Sequence, residues 1–100
     1  MKFNLNDYKG KYVMHCKTKE EADSFCRFLH QNGRRWYEGS SYLEFNCWDV
    51  YKIDTVYYFN EGAYCNIEYA KWKEGYTILE WSNFVEDSEI VSECTVTQHK

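Results

Sequence analysis

Residues 11–18, "KYVMHCKT", alternate Tyr12, Met14 and Cys16 with Val13 and His15. That two-residue period predicts a β-strand. At Thr18 the period changes. "TKEE" forms a capping box, in which the Thr18 hydroxyl accepts from the Glu21 amide and the Glu21 carboxylate reaches back. Glu20, Glu21 and Asp23 suit the positive end of a helix dipole. Ala22, Phe25, Cys26 and Leu29 recur at helical spacing, while Asp23, Arg27 and Gln31 fall on the wet side. Asn32-Gly33 predicts the stop, since glycine takes the left-handed conformation at low cost.

Beyond Gly33 the period of two returns. "RRWYEGSSYLEF" (34–45) predicts a strand, a turn at Glu38 to Ser41, and a second strand with Leu43, Phe45 and Cys47 on one side. "DTVYYFNEGAYCNIEY" (54–69) predicts a hairpin with Asn60-Glu61-Gly62 at its tip, Thr55, Tyr57 and Phe59 alternating with Val56 and Tyr58. "EGYTILEW" (74–81) predicts a further strand, "SNFVEDSE" (82–89) an acidic bend, and "IVSECTVTQHK" (90–100) a last short strand or a frayed end. The expected fold is α+β, an antiparallel sheet of about five to six strands in the order β-α-β-β-β-β, with one main helix packed on one face. A single domain spans 1–100, with its core in 11–84 and an acidic tail or edge strand in 85–100.

Fifteen of the twenty aromatic residues lie between 36 and 84, on both faces of the expected sheet. One helix cannot cover them all, so some are expected at an interface, where Tyr and Trp are the usual anchors. Tyr57, Tyr58, Tyr64 and Trp72 are the expected protein-binding anchors, with Glu61 and Glu68 imitating phosphates.

The net charge of −4 is unevenly spread. Residues 1–35 hold eight basic against four acidic side chains, and residues 36–100 four basic against twelve acidic. The aromatic half would therefore repel a long polyanion. A small nucleotide is easier to accommodate, with Arg34 and Arg35 on its phosphates and Trp36 or Tyr37 stacked on its base.

Neither G-x-G-x-x-G nor G-x-x-x-x-G-K-[ST] occurs, and neither does G-x-S-x-G or H-E-x-x-H. The five cysteines (Cys16, Cys26, Cys47, Cys65, Cys94) form no C-x-x-C pair, and His15, His30 and His99 are scattered. Reduced thiols, no metal, no cofactor and no catalytic residue are expected. No apolar run approaches the roughly 18 residues of a membrane span, and "MKFNLNDYKGKY" has no stretch of signal-peptide length, which predicts a cytoplasmic protein with no membrane partner.

"KTKEEADSFCRFLHQNGRRW" followed by "KWKEGYTILEWSNF" resembles a type of small protein encoded by phages and prophages of Gram-positive bacteria. That type has an opening strand, a T-x-E-E-capped helix, G-x-x-W, aromatic strands and a closing GY-x-I-x-EW/F-S strand. The match runs over roughly residues 11–84 and is one of fold pattern, carrying over no functional residue. Small, acidic, aromatic phage proteins look like the anti-defence class, which includes anti-CRISPR inhibitors and sponges for signalling nucleotides. The resemblance implies a non-enzymatic anti-CRISPR-like inhibitor acting in the host cell. Its partner would be a host defence effector protein such as a CRISPR nuclease, denied access to nucleic acid. The alternatives are a sponge for a cyclic or dinucleotide signal, using Arg34, Arg35, Trp36 and Tyr37, and a phage accessory or assembly module. A homo-oligomer is compatible with each.

Overall fold

The computed structural model describes residues 3–85. Strand β1 (Tyr12–His15) leads to helix α1 (Lys19–Gln31). A long excursion follows, which includes one turn of helix, α2 (Trp48–Tyr51). The hairpin β2 (Thr55–Tyr58) and β3 (Ala63–Asn66) comes next, then a crossover and β4 (Thr77–Glu80).

The predicted helix forms where its caps place it. The Thr18 hydroxyl accepts from the Glu21 amide at 3.1 Å, and the Glu21 carboxylate reaches one residue further back, to the Lys17 amide at 2.9 Å. At the other end Gly33 has φ +77°. The Gly33 amide bonds the His30 carbonyl and the Arg34 amide bonds the Leu29 carbonyl, a Schellman closure. Ala22, Phe25, Cys26 and Leu29 are buried. Removing Phe25 and Leu29 from water contributes about 1.5–3 kcal/mol each.

The sheet differs from the expected one. Among the described residues it has four strands in the order β3-β2-β1-β4. The sheet is mixed: β1 and β2, and β2 and β3, are antiparallel, whereas β1 and β4 are parallel with Met14 beside Leu79. A crossover of residues 67–76 carries the chain from one edge to the other, over β2 and β1, and coils into a π-helical turn at Tyr69–Lys73. The two strands expected in 34–47 are absent. Their backbone groups bond locally instead: Trp36 N–H to Ser40 O, Leu43 N–H to Ser41 Oγ, and Trp48 N–H to Asn46 Oδ1. Short polar side chains here offer the backbone turn partners that compete with a ladder. The final strand expected in 90–100 lies outside the described residues.

Both faces of the sheet are covered, for different reasons. Met14, Tyr57 and Phe59 point to the face under α1, where they meet Phe25, Leu29, Trp36 and Trp81. Val13, Val56 and Tyr58 point to the opposite face and pack against Ala70 of the crossover. Alternation along β2 is thus as predicted, yet all four of its residues are buried because each face has its own cover. Phe3 and Leu5 also join the larger core, ahead of the expected boundary at residue 11.

Tyr42 is sealed in this core, and its hydroxyl is buried with no hydrogen-bond partner among the described residues. Such a group costs about 1–3 kcal/mol. Burial also pushes the phenols of Tyr42 and Tyr57 well above their usual range. Each keeps its proton in the folded chain at pH values where the unfolded chain, ionising near pH 10, has lost it. The stability they contribute is intact below about pH 10 and is lost as pH rises further, by about 1.4 kcal/mol per unit per phenol. Tyr42→Phe should therefore raise stability at pH 7 by about 1 kcal/mol and lose less of it above pH 10. Urea midpoints of both proteins between neutral and strongly alkaline pH check this; parallel curves would mean that the Tyr42 hydroxyl ionises freely.

Candidate functional site

The excursion between α1 and β2 is where apolar surface meets solvent. Of the eight large hydrophobic side chains that stand exposed among the described residues, six lie between 37 and 53: Tyr37, Leu43, Phe45, Val50, Tyr51 and Ile53. Two rings tie the excursion to the sheet and one braces it internally. The Trp48 indole N–H donates to Cys16 O at 3.1 Å and the Tyr57 hydroxyl to Asn46 O at 2.6 Å, while the Trp36 indole N–H donates to Phe45 O at 3.1 Å within the excursion. Cys47 (φ +62°) and Lys52 (φ +54°) bracket α2 in the left-handed region. For residues with a Cβ this costs about 1–2 kcal/mol each.

A ring-lined groove runs beside β3. Trp36 lies stacked near Phe45 (5.7 Å) and meets Tyr64 edge-on (5.9 Å), and the Tyr51 ring is 6.1 Å from that of Tyr64. Tyr37, 86% exposed, forms the outer wall. The enclosed space is about 250 Å³, with Cys47, Glu38 and the Gly62–Ala63 backbone completing its lining. The Ser40 amide and hydroxyl hold the Glu38 carboxyl below its usual range, so this rim group stays charged. Burial raises the Cys47 thiol, which makes it a poor nucleophile.

The stretch that builds and borders the groove is acidic on balance, with Arg34 and Arg35 just before it and Lys52 within it as its cations. Residues 36–70 carry six carboxylates (Glu38, Glu44, Asp49, Asp54, Glu61, Glu68) and one cation, Lys52. All seven are exposed. Lys19 of α1 pairs with Asp49 at 3.1 Å, and the pair is open to solvent, where it contributes little.

The expected site residues do not share one surface. Tyr57 is fully buried under α1, and Tyr58 is buried on the other face with its hydroxyl on Glu74 at 2.6 Å, so neither is an exposed anchor. Adjacent strand residues point to opposite faces, and both faces here are covered. Tyr64 lines the groove. Glu61 sits at the hairpin tip, 3.4 Å from the Tyr76 hydroxyl. Glu68 and Trp72 lie on the crossover, where Trp72 is 71% exposed with Lys71 Nζ 5.1 Å above its ring.

The nucleotide cluster does not assemble either. Trp36 is buried and cannot stack on a base. Arg34 donates to Phe59 O, Arg35 donates to Gly39 O, and only Tyr37 stands clear.

Leu43, Phe45, Val50, Tyr51 and Ile53 were missed as surface residues, because Leu43 and Phe45 read as the inner face of a strand. The available signal was the near-absence of basic residues between 36 and 70.

His15 has both ring nitrogens engaged. Nε2 donates to Ile53 O at 2.6 Å, and Nδ1 is 2.8 Å from a Glu80 oxygen. It offers nothing to an external group. His30 Nδ1 lies 3.4 Å from Ser41 Oγ, an oxygen that already accepts from the Leu43 amide. No group of three or more His, Cys, Asp or Glu among the described residues is placed to hold a metal ion. No helix among them is long and apolar enough to cross a membrane.

Comparison with known proteins finds no protein-family model, no curated protein and no solved structure that matches the chain.

The groove depends on a backbone contact at Gly62. The Tyr37 amide donates to Gly62 O at 2.9 Å, and a Cβ at residue 62 would lie 2.6 Å from the Tyr37 nitrogen. Gly33 has nearly the same φ but open space around it. Gly33→Ala should cost about 1–2 kcal/mol from conformation alone. Gly62→Ala should cost about 1–3 kcal/mol more, because the 35–37 backbone must move. Denaturant titration of the two variants measures the difference; equal losses would show that the contact is unimportant.

Proposed function

We propose that this chain is a non-enzymatic inhibitor that works by docking, of the anti-defence kind its sequence resembles. Its partner is a host effector nuclease, and its acidic, ring-lined surface occupies the basic channel that would otherwise hold nucleic acid. The observation that carries this reading is the groove of Trp36, Tyr37, Phe45 and Tyr64, with Glu38 in its lining, built by a stretch whose residues 36–51 carry exposed Glu38, Glu44 and Asp49 and no cation. Rigid rings beside an apolar slot supply the desolvated anchor that dominates protein interfaces. The surrounding carboxylates supply long-range attraction to a basic surface and repulsion of nucleic acid. Tyr64 keeps its assignment as an anchor. Tyr37, Phe45 and Tyr51 replace Tyr57 and Tyr58, and Glu38, Glu44 and Asp54 join Glu61 as the acidic component.

Purified CRISPR effector nucleases, assayed for nucleic-acid cleavage with and without the protein, test this. At least one should be inhibited, with excess nucleic acid relieving the block and rising salt weakening it. Tyr64→Ala should cost about 2 kcal/mol of binding, roughly 30-fold in affinity. Paired reversal of Glu44 and Asp54 to Lys should slow association by about tenfold or more at low salt. Cleavage unaffected across the panel, or inhibition indifferent to both changes, would overturn the reading.

A further inference from the structure

The open edge of the sheet borders the groove, and this juxtaposition says how a partner is held. β3 is the terminal strand on its side of the sheet, bonded to β2 alone. The excursion touches its leading end only, through the Tyr37 amide on the Gly62 carbonyl, and no other backbone bond reaches 63–66 from outside the hairpin among the described residues. The outward-facing backbone groups of β3, those of every second residue of Ala63–Asn66, therefore stand next to a slot walled by Tyr37, Phe45 and Tyr64. An edge strand with an adjoining side-chain pocket is the arrangement by which sheets take up an extended peptide: backbone pairing supplies the attachment, and the pocket selects a side chain.

We infer that β3 receives an extended segment of a basic protein partner as a fifth strand, with one apolar side chain of that segment in the Trp36–Tyr37–Phe45–Tyr64 slot and its Lys or Arg residues facing the surrounding carboxylates. The inference rests on the docking role proposed above and specifies its geometry. Charge selects the occupant. A second copy of this chain would bring the same excursion to the edge, whose residues 36–51 carry Glu38, Glu44 and Asp49 and no cation, and would be repelled. A strand alternating basic and apolar residues meets opposite charge outside and rings inside. The slot of about 250 Å³ has room for a large side chain. The four residues of β3 limit the pairing to a short stretch, so the slot and the charges carry the selectivity.

Synthetic peptides of about nine residues, the length of a generous strand, that alternate Lys or Arg with Val, Phe or Trp are the probe. Binding to the full chain is followed by titration calorimetry and by amide exchange. At least one peptide should bind, slow the exchange of amides within 63–66, and lose about tenfold or more in affinity when alternate backbone nitrogens are methylated in one register but not in the other. Tyr64→Ala should weaken it, as should paired reversal of Glu44 and Asp54, neither of which holds a side-chain hydrogen bond among the described residues. Equal binding of methylated and unmethylated peptides, still lost with Tyr64→Ala, would overturn strand pairing and leave the acidic aromatic docking surface standing. Failure of every peptide to bind, together with an unaffected nuclease panel, would overturn both. Self-association that protects 63–66 would overturn the choice of a basic partner.

Discussion

The backbone of Arg35, Trp36 and Tyr37 lies directly against Gly62, closer than any residue with a side chain would permit. Much of the larger core depends on that approach. The sheet face carrying Met14, Tyr57, Phe59 and Tyr64 is wider than α1 can cover, so a second cover is needed beyond β2. The excursion supplies it by turning Trp36, Tyr42 and Trp48 inward. It can lie low enough to do so because the hairpin tip presents only hydrogen to it. Trp48 anchors the excursion through its indole bond to Cys16 O, and Tyr57 of β2 reaches it through a phenol bond to Asn46 O, a use of the polar handle that large aromatics provide when buried. What is left over on its outer side, Tyr37, Phe45 and Tyr51, forms the exposed ridge.

The parts of the fold that were legible in the chain are those governed by local chemistry. The Thr18 and Glu21 cap, the Gly33 stop and the 55–66 hairpin each depend on residues close in sequence, and each appears where its pattern places it. The excursion was illegible because "RRWYEGSSYLEF" satisfies the strand period while Ser40, Ser41 and Asn46 provide local bonds that a ladder would forgo. The parallel seating of β4 was illegible for another reason. Periodicity identifies a strand but carries no information on its direction, and the 67–76 crossover shows no conventional helical repeat that would have announced a parallel connection. Site residues followed the same division. Tyr64 and Trp72 are accessible, but Tyr57 and Tyr58 are not, since α1 covers the first and the crossover, through Ala70 and its neighbours, forms a second layer over the other.

The surplus of rings is therefore split three ways rather than displayed on one face. Phe25, Tyr57, Phe59 and Trp81 build the core under α1. Tyr58 and Tyr76, 4.6 Å apart, close the smaller core with the crossover. A remainder stands outside, divided between the excursion and the Tyr69–Trp72 turn. Charge distinguishes these two outer sets. The turn has Lys71 and Lys73 beside its rings and Glu68 before them, a nearly balanced patch. The excursion holds its cations at its two ends, Arg34 and Arg35 and then Lys52, and between them, over residues 36–51, it carries only carboxylates.

The acidic field also answers a hazard that the open edge creates. An unpaired strand flanked by exposed rings is a template for joining another copy of itself, and proteins blunt such edges with charge or by covering them. Here the cover stops at Gly62, and like charge does the remainder. Carboxylates impose this protection selectively. They deter a second acidic chain and raise no barrier to a basic one, while the outer edge of β3 has no partner strand among the described residues. Lysines would have protected the edge equally well against self-pairing, and the docking role proposed above would account for their near-absence from residues 36–70.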